Sequence, residues 1–349
     1  MARTDFYPLT VARVDPLTAD SAAVTFDVPP GLAERFAFAP GQSLTIRRDE
    51  ERRSYSICAA QGRAPRIGVR EVAGGAVSGW LVHEVRAGDV IEVQTPSGSF
   101  IPDLDVPGHH VLIAAGSGIT PELSIASSVL AAQDKATVTL IYGNRRNDSV
   151  MFADEIADLK DAYPERVCLV HVLSREPQEV ELFNGRLDAA KLRTLLPVTV
   201  DVAAVDHWWL CGPFGLVEGA IGLLTELGVP RGRVHRELFY VEDIAPAPAI
   251  HTEAAAGPGA EVTVLLDGRS STVTVPHGTP VLDGAQRVRP DLPFACKGGV
   301  CGTCRARLVD GEVTMRRNYA LEQEELDAGY VLTCQSLPVS DQITVDYDA

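Results

Sequence analysis

Long apolar runs are missing from this sequence. No stretch of its 349 residues approaches the ~20 consecutive apolar residues that a membrane helix requires. The first residues, Met1–Phe6, lack the apolar segment of a secretory signal peptide. We therefore expect a cytoplasmic protein that no membrane helix anchors.

Basic residues are few relative to acidic ones. The chain has 31 Lys and Arg residues against 47 Asp and Glu residues, a formal net charge of −16. A field of this sign repels phosphate backbones and anionic lipids, which argues against nucleic acid and membranes as partners. Because 46% of the residues are hydrophobic and 22% are charged, the chain can form packed cores and is not a disordered protein.

Histidine offers no obvious metal site. The eight histidines form no pair at the spacing that brings two imidazoles to one helix face. The sequence also shows no group of carboxylates and histidines that could hold a further metal ion. The sequence therefore predicts no metal centre that activates a substrate or oxygen.

Two changes in composition divide the chain. We predict three domains, residues 1–105, 106–240 and 261–349, and a linker at 241–260 that is rich in alanine, proline and glycine.

In the first domain, short β-rich runs are separated by glycine and proline turns, a pattern typical of an antiparallel barrel. The runs are Ala22–Val28, Ser43–Arg47, Tyr55–Ala59, Arg66–Val72 and Val90–Thr95.

In the second domain, strands alternate with helices, which predicts a parallel doubly wound α/β sheet. The predicted strands are Val111–Ala115, Thr137–Tyr142, Val167–Ser174 and Trp208–Cys211. The predicted helices are Pro121–Ala132, Met151–Tyr163, Leu187–Leu196 and Phe214–Leu227. The third domain opens with two short strands, Glu261–Leu266 and Ser271–Val275.

Cysteine is concentrated near the C-terminus. Cys58, Cys168 and Cys211 are scattered, as buried cysteines of a cytosolic protein usually are. The other four form the pattern Cys-x4-Cys-x2-Cys followed by 29 residues and a fourth cysteine. This is the plant-type ferredoxin spacing for a 2Fe-2S cluster. The predicted ligands are Cys296, Cys301, Cys304 and Cys334.

Glycines support the cluster prediction. Gly298, Gly299 and Gly302 let backbone N–H groups turn toward sulfur, where side chains would crowd the cluster. A zinc site is the alternative, but zinc sites more often use paired Cys-x2-Cys knuckles, and only one such pair is present. Four unrelated core cysteines are the remaining interpretation.

The tetrapeptide Arg53–Ser56 (RSYS) is a candidate ligand site in the first domain. An arginine can hold a phosphate, a tyrosine ring can lie against a flat heterocycle, and a hydroxyl can bond its edge. On a strand Arg53 and Tyr55 share a face, so both can point at one ligand. The alternative is an exposed barrel strand. About 20 residues later, Gly75–Ser78 (GAVS) leads into a helix over Trp80–Val85, an arrangement that can bind a diphosphate.

Together these motifs resemble the ferredoxin–NADP reductase superfamily, whose flavin signatures are Arg-x-Tyr-Ser and Gly-x-x-Ser. The resemblance implies that Arg53 holds the pyrophosphate, that Tyr55 flanks the isoalloxazine ring and that Ser56 bonds near its N5, so that the last two are catalytic. The second motif favours FAD over FMN. The resemblance further implies cofactor contacts from Val69, Gly75, Val77 and Ser78.

A nicotinamide site is predicted in the second domain. Gly116–Pro121 (GSGITP) lies between a buried strand and a helix, where two glycines and the helix dipole favour a diphosphate. The third glycine of the Rossmann fingerprint is absent and a proline stands nearby instead, as in the reductase superfamily. Cys211, Gly212 and Pro213 resemble that family's Cys-Gly-Pro motif, whose cysteine lies where nicotinamide meets flavin. Cys211 is therefore the third predicted catalytic residue, with a simple core cysteine as the alternative. The predicted contacts of the first motif are Gly116, Gly118, Thr120 and Pro121.

Three residues favour NADPH over NADH. Arg145, Ser174 and Arg175 follow parallel strands at the end where the adenosine half of the nucleotide would lie. Arginines and a serine there can neutralise a 2′-phosphate, and no acidic residue stands at Ser174 to bind a free 2′-hydroxyl. Solvated loop arginines are the alternative.

The three predicted modules define an electron relay from NADPH through FAD and a 2Fe-2S cluster to a partner. Their order resembles that of the reductases of phenylacetyl-CoA epoxidase and 3-ketosteroid 9α-hydroxylase. Met315–Glu322, Gly329–Gln335 and His235–Phe239 most resemble the epoxidase reductases. The resemblance implies a β-grasp ferredoxin domain, and a di-iron oxygenase of phenylacetate catabolism as partner. The reductase of another oxygenase, or a stand-alone diaphorase or redox sensor, is the alternative.

Overall fold

The chain forms two compact units. A computed structural model describes residues 6–49, 51–239, 259–294, 296–321 and 323–349. One unit is Phe6–Phe239, and the described part of the other begins at Gly259. Residues 241–258 of the predicted linker lie outside the described residues. Among the described residues, no helix combines the length and apolar character needed to cross a bilayer.

The first unit begins with an antiparallel barrel, as the sequence predicts. Its strands are β1 (Phe6–Thr18), β2 (Ser21–Asp27), β3 (Ser43–Arg48), β4 (Glu51–Ser56), β5 (Arg66–Arg70) and β6 (Val90–Gln94). They are ordered β4-β3-β6-β1-β2-β5, and a bridge between Ile57 and Ile67 joins the two ends of the sheet. Alternate residues such as Leu44 and Ile46 point into a fully buried core, which helix α1 (Ala76–His83) also contacts.

Two strand predictions in the barrel are wrong in detail. The strand predicted over Tyr55–Ala59 corresponds to β4, which ends at Ser56. Its pairing with β3 begins where Glu51 lies opposite Arg48 and ends where Ser56 lies opposite Ser43. Strand β1, which contains Pro8 and Pro16, is missing from the predicted set, and it pairs with both β2 and β6.

A parallel five-stranded sheet follows, which confirms the predicted α/β fold. Its strands are β7 (His109–Ala115), β8 (Thr137–Asn144), β9 (Val167–Leu173), β10 (His207–Cys211) and β11 (Val234–Glu237). Its helices are α2 (Ile119–Ala132), α3 (Ala153–Ala162), α4 (Ala189–Thr199) and α5 (Phe214–Glu226). The order β11-β10-β7-β8-β9 reverses direction between β7 and β10. In such sheets ligands bind outside the carboxyl ends of the strands at this reversal.

Three histidines and a tryptophan stack near the amino ends of this sheet. Trp209 lies against His235 with ring centroids 4.1 Å apart, and its Nε1 donates to His110 Nδ1 at 3.1 Å. His207 stacks on His110 at 5.0 Å. Burial, reinforced by the neighbouring imidazole of His207, lowers the pKa of His110 and of His235 to about 4.

This cluster predicts acid sensitivity. In the unfolded chain His110 has a pKa near 6.5, so the unfolded state binds the proton first as the pH falls. The stability that neutral His110 contributes is complete above about pH 6.5 and is lost toward pH 4, a change of about 3 kcal/mol. His110→Gln keeps an acceptor for Trp209 but does not titrate. Urea unfolding at several pH values should show a smaller acid-induced loss in this variant, and equal losses would contradict the prediction.

The second unit has the predicted α+β ferredoxin fold. Its strands are β12 (Gly259–Leu266), β13 (Arg269–Pro276), β14 (Arg305–Asp310), β15 (Val313–Met315), β16 (Tyr330–Leu332), β17 (Ser336–Pro338) and β18 (Gln342–Asp346), and its helices are α6 (Val281–Ala285) and α7 (Gln323–Asp327). The main sheet is ordered β13-β12-β18-β14-β16, with β12 and β18 parallel, and β15 pairs with β17. Gly259 and Ala260, predicted as the end of the linker, already belong to β12.

Candidate functional site

The Arg-Ser-Tyr-Ser motif lies at the end of β4. Arg53 and Tyr55 share one face of this strand. The Arg53 guanidinium pairs with Glu51 at 3.0 Å, and both side chains are about 40% exposed. A pair this exposed is weak, so the guanidinium is free to exchange Glu51 for a phosphate. Burial raises the pKa of the Tyr55 phenol, which keeps it neutral.

The Gly-Ala-Val-Ser motif forms the start of α1. Gly75 precedes the helix, and the buried Ser78 hydroxyl accepts from the N–H of Val72 at 3.1 Å and donates to the Gly75 carbonyl at 3.3 Å. A Cβ on Gly75 would lie 2.7 Å from this hydroxyl. Val77 and Val69 point into the barrel core, so only their backbone can contact a ligand.

The glycine turn between β7 and α2 is tightly packed against β10. Gly116 has φ of +56°, which favours glycine, and a Cβ on Gly118 would lie 2.1 Å from the Cys211 carbonyl oxygen. The Thr120 hydroxyl closes the turn by donating to the Ser117 carbonyl at 2.9 Å. Pro121 is buried. The backbone of this turn can therefore approach a diphosphate closely at the reversal of strand order.

Cys211 ends β10, and Gly212 and Pro213 lead into α5. The Cys211 side chain has no exposed surface, and burial raises the pKa of its thiol well above the usual range. The thiol is therefore neutral and fully buried in this structure, so it lines the site and does not act as a nucleophile.

The structure adds a residue that the motifs do not predict as part of the site. The Ser56 hydroxyl donates to Glu237 Oε2 at 2.9 Å, which joins the end of β4 to the last residue of β11. Burial raises the pKa of Glu237 to about 7, and the bond from Ser56 opposes this rise. A single hydrogen bond thus connects the candidate flavin and nicotinamide sites. The sequence signal was the His-Arg-Glu-Leu-Phe segment, which carries the carboxyl group.

Arg70 is a second residue that sequence reasoning missed. It ends β5, pairs with Asp20 at 2.9 Å, and its Nη1 lies 3.4 Å from where a Cβ of Gly116 would stand. A guanidinium beside the glycine turn is suited to the charge of a dinucleotide diphosphate.

Arg145, Ser174 and Arg175 come together after β8 and β9. The N–H of Arg175 donates to the Arg145 carbonyl at 2.8 Å, and the N–H of Ser174 to the Asn144 carbonyl at 3.0 Å. All three predicted residues are exposed. Among the described residues no carboxylate pairs with Arg145 or Arg175, whereas Arg146 pairs with Asp148.

The four predicted cluster ligands form two pairs in the second unit. No two of them form a disulfide. A hydrogen bond from the neighbouring Cys301 thiol lowers the pKa of Cys296 to about 6, and one from Cys304 lowers the pKa of Cys334. Electrostatic interactions also link Cys301 to Cys304 and Cys296 to Cys334, so the two pairs are neighbours.

The surroundings of the sulfurs suit a cluster. The N–H of Gly298 donates to Cys296 Sγ at 3.3 Å, and Gln335 Nε2 approaches Cys334 Sγ at 3.5 Å. Lys297, Gly299 and Gly302 have positive φ, and these turns carry the loop around the sulfurs. Two neighbouring thiol pairs with N–H groups directed at sulfur are the donor set that a 2Fe-2S cluster requires.

Comparison with known domains identifies three of them in this chain. Residues 8–101 match the oxidoreductase FAD-binding domain, residues 112–221 the oxidoreductase NAD-binding domain, and residues 264–339 the 2Fe-2S iron-sulfur cluster binding domain. FAD, a nicotinamide nucleotide and a 2Fe-2S cluster are therefore the cofactors of this chain.

Similar proteins share this organisation from end to end. One of the subunits of 1,2-phenylacetyl-CoA epoxidase from Escherichia coli K12 is 39% identical, covering 99% of each chain. The ferredoxin reductase component of 3-ketosteroid-9-alpha-monooxygenase from Mycobacterium tuberculosis is 36% identical over 97% of this chain and 95% of its own. Phthalate dioxygenase reductase shares the fold, with a TM-score of 0.61, 24% identity, and coverage of 99% of this chain and all of its own.

Proposed function

The chain belongs to the family of oxygenase reductases that join an FAD-binding, an NAD-binding and a 2Fe-2S domain, and we propose that its partner is a phenylacetyl-CoA epoxidase. The protein passes electrons from NAD(P)H through FAD and the cluster to an oxygenase. The similarity to the epoxidase protein from Escherichia coli, which spans both chains, is the observation that carries the choice of partner.

The cofactors divide the chemistry among them. When bound, NAD(P)H would supply two electrons as a hydride, FAD would convert the pair into single electrons, and the 2Fe-2S cluster would carry one electron at a time. The chain holds and orients these groups. We assign Arg53, Gly75 and Ser78 to the FAD diphosphate, Tyr55 and Ser56 to its ring, and the four clustered cysteines to iron.

The nicotinamide nucleotide is assigned to the crevice between β7 and β10. Its floor is assigned to Gly116, Gly118, Thr120 and Pro121, followed by Gly212 and Pro213. Cys211 lines the side nearest Glu237. Arg70 supplies positive charge beside this floor. We assign Arg145, Ser174 and Arg175 to the adenosine half. They favour NADPH, since the two arginines have no carboxylate partner among the described residues and suit a 2′-phosphate.

Reconstitution with purified oxygenases tests the choice of partner. With NADPH, the holoprotein should support epoxidation of phenylacetyl-CoA by a phenylacetyl-CoA epoxidase oxygenase. It should support a 3-ketosteroid 9α-hydroxylase oxygenase much less well. Both oxygenases are assayed at the same reductase and oxygenase concentrations, which controls for electrons that pass to other acceptors. If only the ketosteroid oxygenase turned over, the proposed partner would be wrong, although the assignment as a reductase would stand.

A further inference from the structure

Two exposed arginines lie beside the segments that carry the cysteines assigned to the cluster. Arg316 and Arg317, here called the arginine pair, directly follow β15, and both side chains are exposed. The N–H of Arg316 donates to the carbonyl of Gln335, the residue after Cys334, at 3.0 Å. A Cβ on Gly299, in the loop of the other three cysteines, would lie 3.3 Å from the Arg317 carbonyl oxygen. The backbone of the arginine pair therefore contacts both segments that carry these cysteines.

The loop that contains the arginine pair is held by hydrogen bonds. The N–H of Tyr319 donates to the Gly299 carbonyl at 3.0 Å. The Asn318 side chain accepts from the N–H of Leu321 at 2.8 Å and donates to the carbonyl of the same residue at 3.0 Å. Together with the bond from Arg316, these contacts fix the backbone at three places. A surface that is already ordered loses less conformational entropy when a partner binds to it.

Other basic side chains near the assigned cysteines are neutralised by carboxylates. Lys297 pairs with Asp283 at 2.8 Å, and Arg305 pairs with Glu325. The arginine pair, in contrast, has no carboxylate partner within the part of the chain that the structure describes. Two guanidinium groups beside the assigned cysteines are therefore available to carboxylates of another protein.

Positive charge at this place contrasts with the charge of the surrounding domain. Residues 261–349 have 8 basic and 13 acidic side chains, a formal net charge of −5. An acidic partner therefore repels most of this domain and attracts the arginine pair, which favours encounters in one orientation. Arginine also binds carboxylates through two parallel hydrogen bonds and is enriched among the residues that dominate binding energy at interfaces. A protein surface that presents carboxylates fits this place.

We propose that the arginine pair docks the 2Fe-2S domain onto an acidic surface of the oxygenase, with the two guanidinium groups bound to oxygenase carboxylates. The inference rests on the proposed function, which supplies the oxygenase as the electron acceptor. Because the backbone of the pair contacts both segments that carry the assigned cysteines, this docking brings those segments to the interface.

Binding of the holoprotein to a purified phenylacetyl-CoA epoxidase oxygenase tests this proposal. Arg316→Glu combined with Arg317→Glu replaces two attractive contacts with two repulsive ones, so Kd at low ionic strength should rise about tenfold or more. Added salt should raise the wild-type Kd steeply but should not raise the Kd of the double variant, because salt screens attraction and repulsion alike. In epoxidation assays KM for the reductase should follow Kd, and kcat should stay at the wild-type value.

Arg193→Glu combined with Arg269→Glu is the matched control, because it makes the same change in net charge. Arg269 is exposed at the start of β13, which lies at the opposite edge of the main sheet from β16. Arg193 is an exposed residue of the other unit. This control variant should keep the wild-type Kd and the wild-type response to salt.

Two results would overturn the proposal. One is an unchanged Kd in the arginine-pair variant when iron content and electron paramagnetic resonance show an intact cluster. The other is a slower reduction of the cluster by NADPH in the absence of oxygenase, which would mean that the arginines act within the chain. A wild-type holoprotein that neither binds nor reduces this oxygenase would instead contradict the proposed function.

Carbodiimide cross-linking provides a second readout that keeps the positive charges. The chain has only four lysines, and carbodiimide joins lysine, but not arginine, to a neighbouring carboxylate. Arg316→Lys combined with Arg317→Lys should form an amide bond from position 316 or 317 to an oxygenase Asp or Glu, which peptide mass spectrometry locates. Arg269→Lys should form no cross-link from position 269. If the double lysine variant bound the oxygenase but gave no cross-link from either position, the proposal would be wrong.

Discussion

Cys301→Ser should remove the iron–sulfur cluster and stop electron delivery to the oxygenase. Serine is a poor ligand for iron compared with a thiolate, and Cys301 lies in the loop that carries three of the four sulfurs. The FAD and nicotinamide sites belong to the other compact unit, so they should still fold and bind their cofactors. NADPH-dependent reduction of ferricyanide should continue near the wild-type rate, while cytochrome c reduction and oxygenase-coupled epoxidation should fall to background.

Cys168→Ser is the matched control for this variant. Cys168 is an exposed cysteine on β9, in the other unit, so its replacement should leave iron content and all three activities unchanged. A Cys301→Ser protein that lacks its cluster but supports full turnover of the oxygenase would show that electrons leave directly from the flavin.

Arg145→Glu combined with Arg175→Glu should raise KM for NADPH far more than KM for NADH. Both arginines are exposed and lack an acidic partner among the described residues, and their backbones are hydrogen-bonded to each other. Loss of charge-assisted contacts to a 2′-phosphate costs about 1.5–3 kcal/mol, or roughly 10–150-fold in kcat/KM. Steady-state ferricyanide assays with each nucleotide measure this ratio.

Arg193→Glu provides the control for an altered surface charge. Arg193 is an exposed arginine of α4 that pairs with Glu226, away from the carboxyl ends of the strands. Its substitution should change both KM values equally. If the double variant left the NADPH-to-NADH ratio unchanged, or if the wild type already preferred NADH, the two arginines would not bind a 2′-phosphate.

Local motifs account for what the sequence could predict. The four candidate cluster cysteines could be picked out because three of them lie within nine residues, in the plant-type ferredoxin spacing. The turn at Gly116 and Gly118 was recognisable because close backbone packing admits only glycine, and the structure places Cys211 directly against Gly118. The alternation of strands and helices likewise predicted the parallel sheet.

Contacts between distant segments were not predictable in the same way. Ser56 and Glu237 are 181 positions apart and meet only because β4 and β11 end at the same place. Glu122 is the single charged residue of α2, and this local pattern does not reveal that its side chain is fully buried. Arg70 reaches the glycine turn from a different sheet. Each of these residues depends on tertiary packing that no local pattern encodes.

The order in which the cofactors are reduced tests the central account most directly. Anaerobic stopped-flow mixing of the holoprotein with NADPH, with parallel freeze-quenched samples for electron paramagnetic resonance, follows the flavin absorbance and the reduced cluster separately. The account predicts that the flavin bleaches first, that the cluster signal appears afterwards, and that flavin-depleted protein shows no cluster reduction by NADPH. Cluster reduction at the wild-type rate in flavin-depleted protein would contradict it.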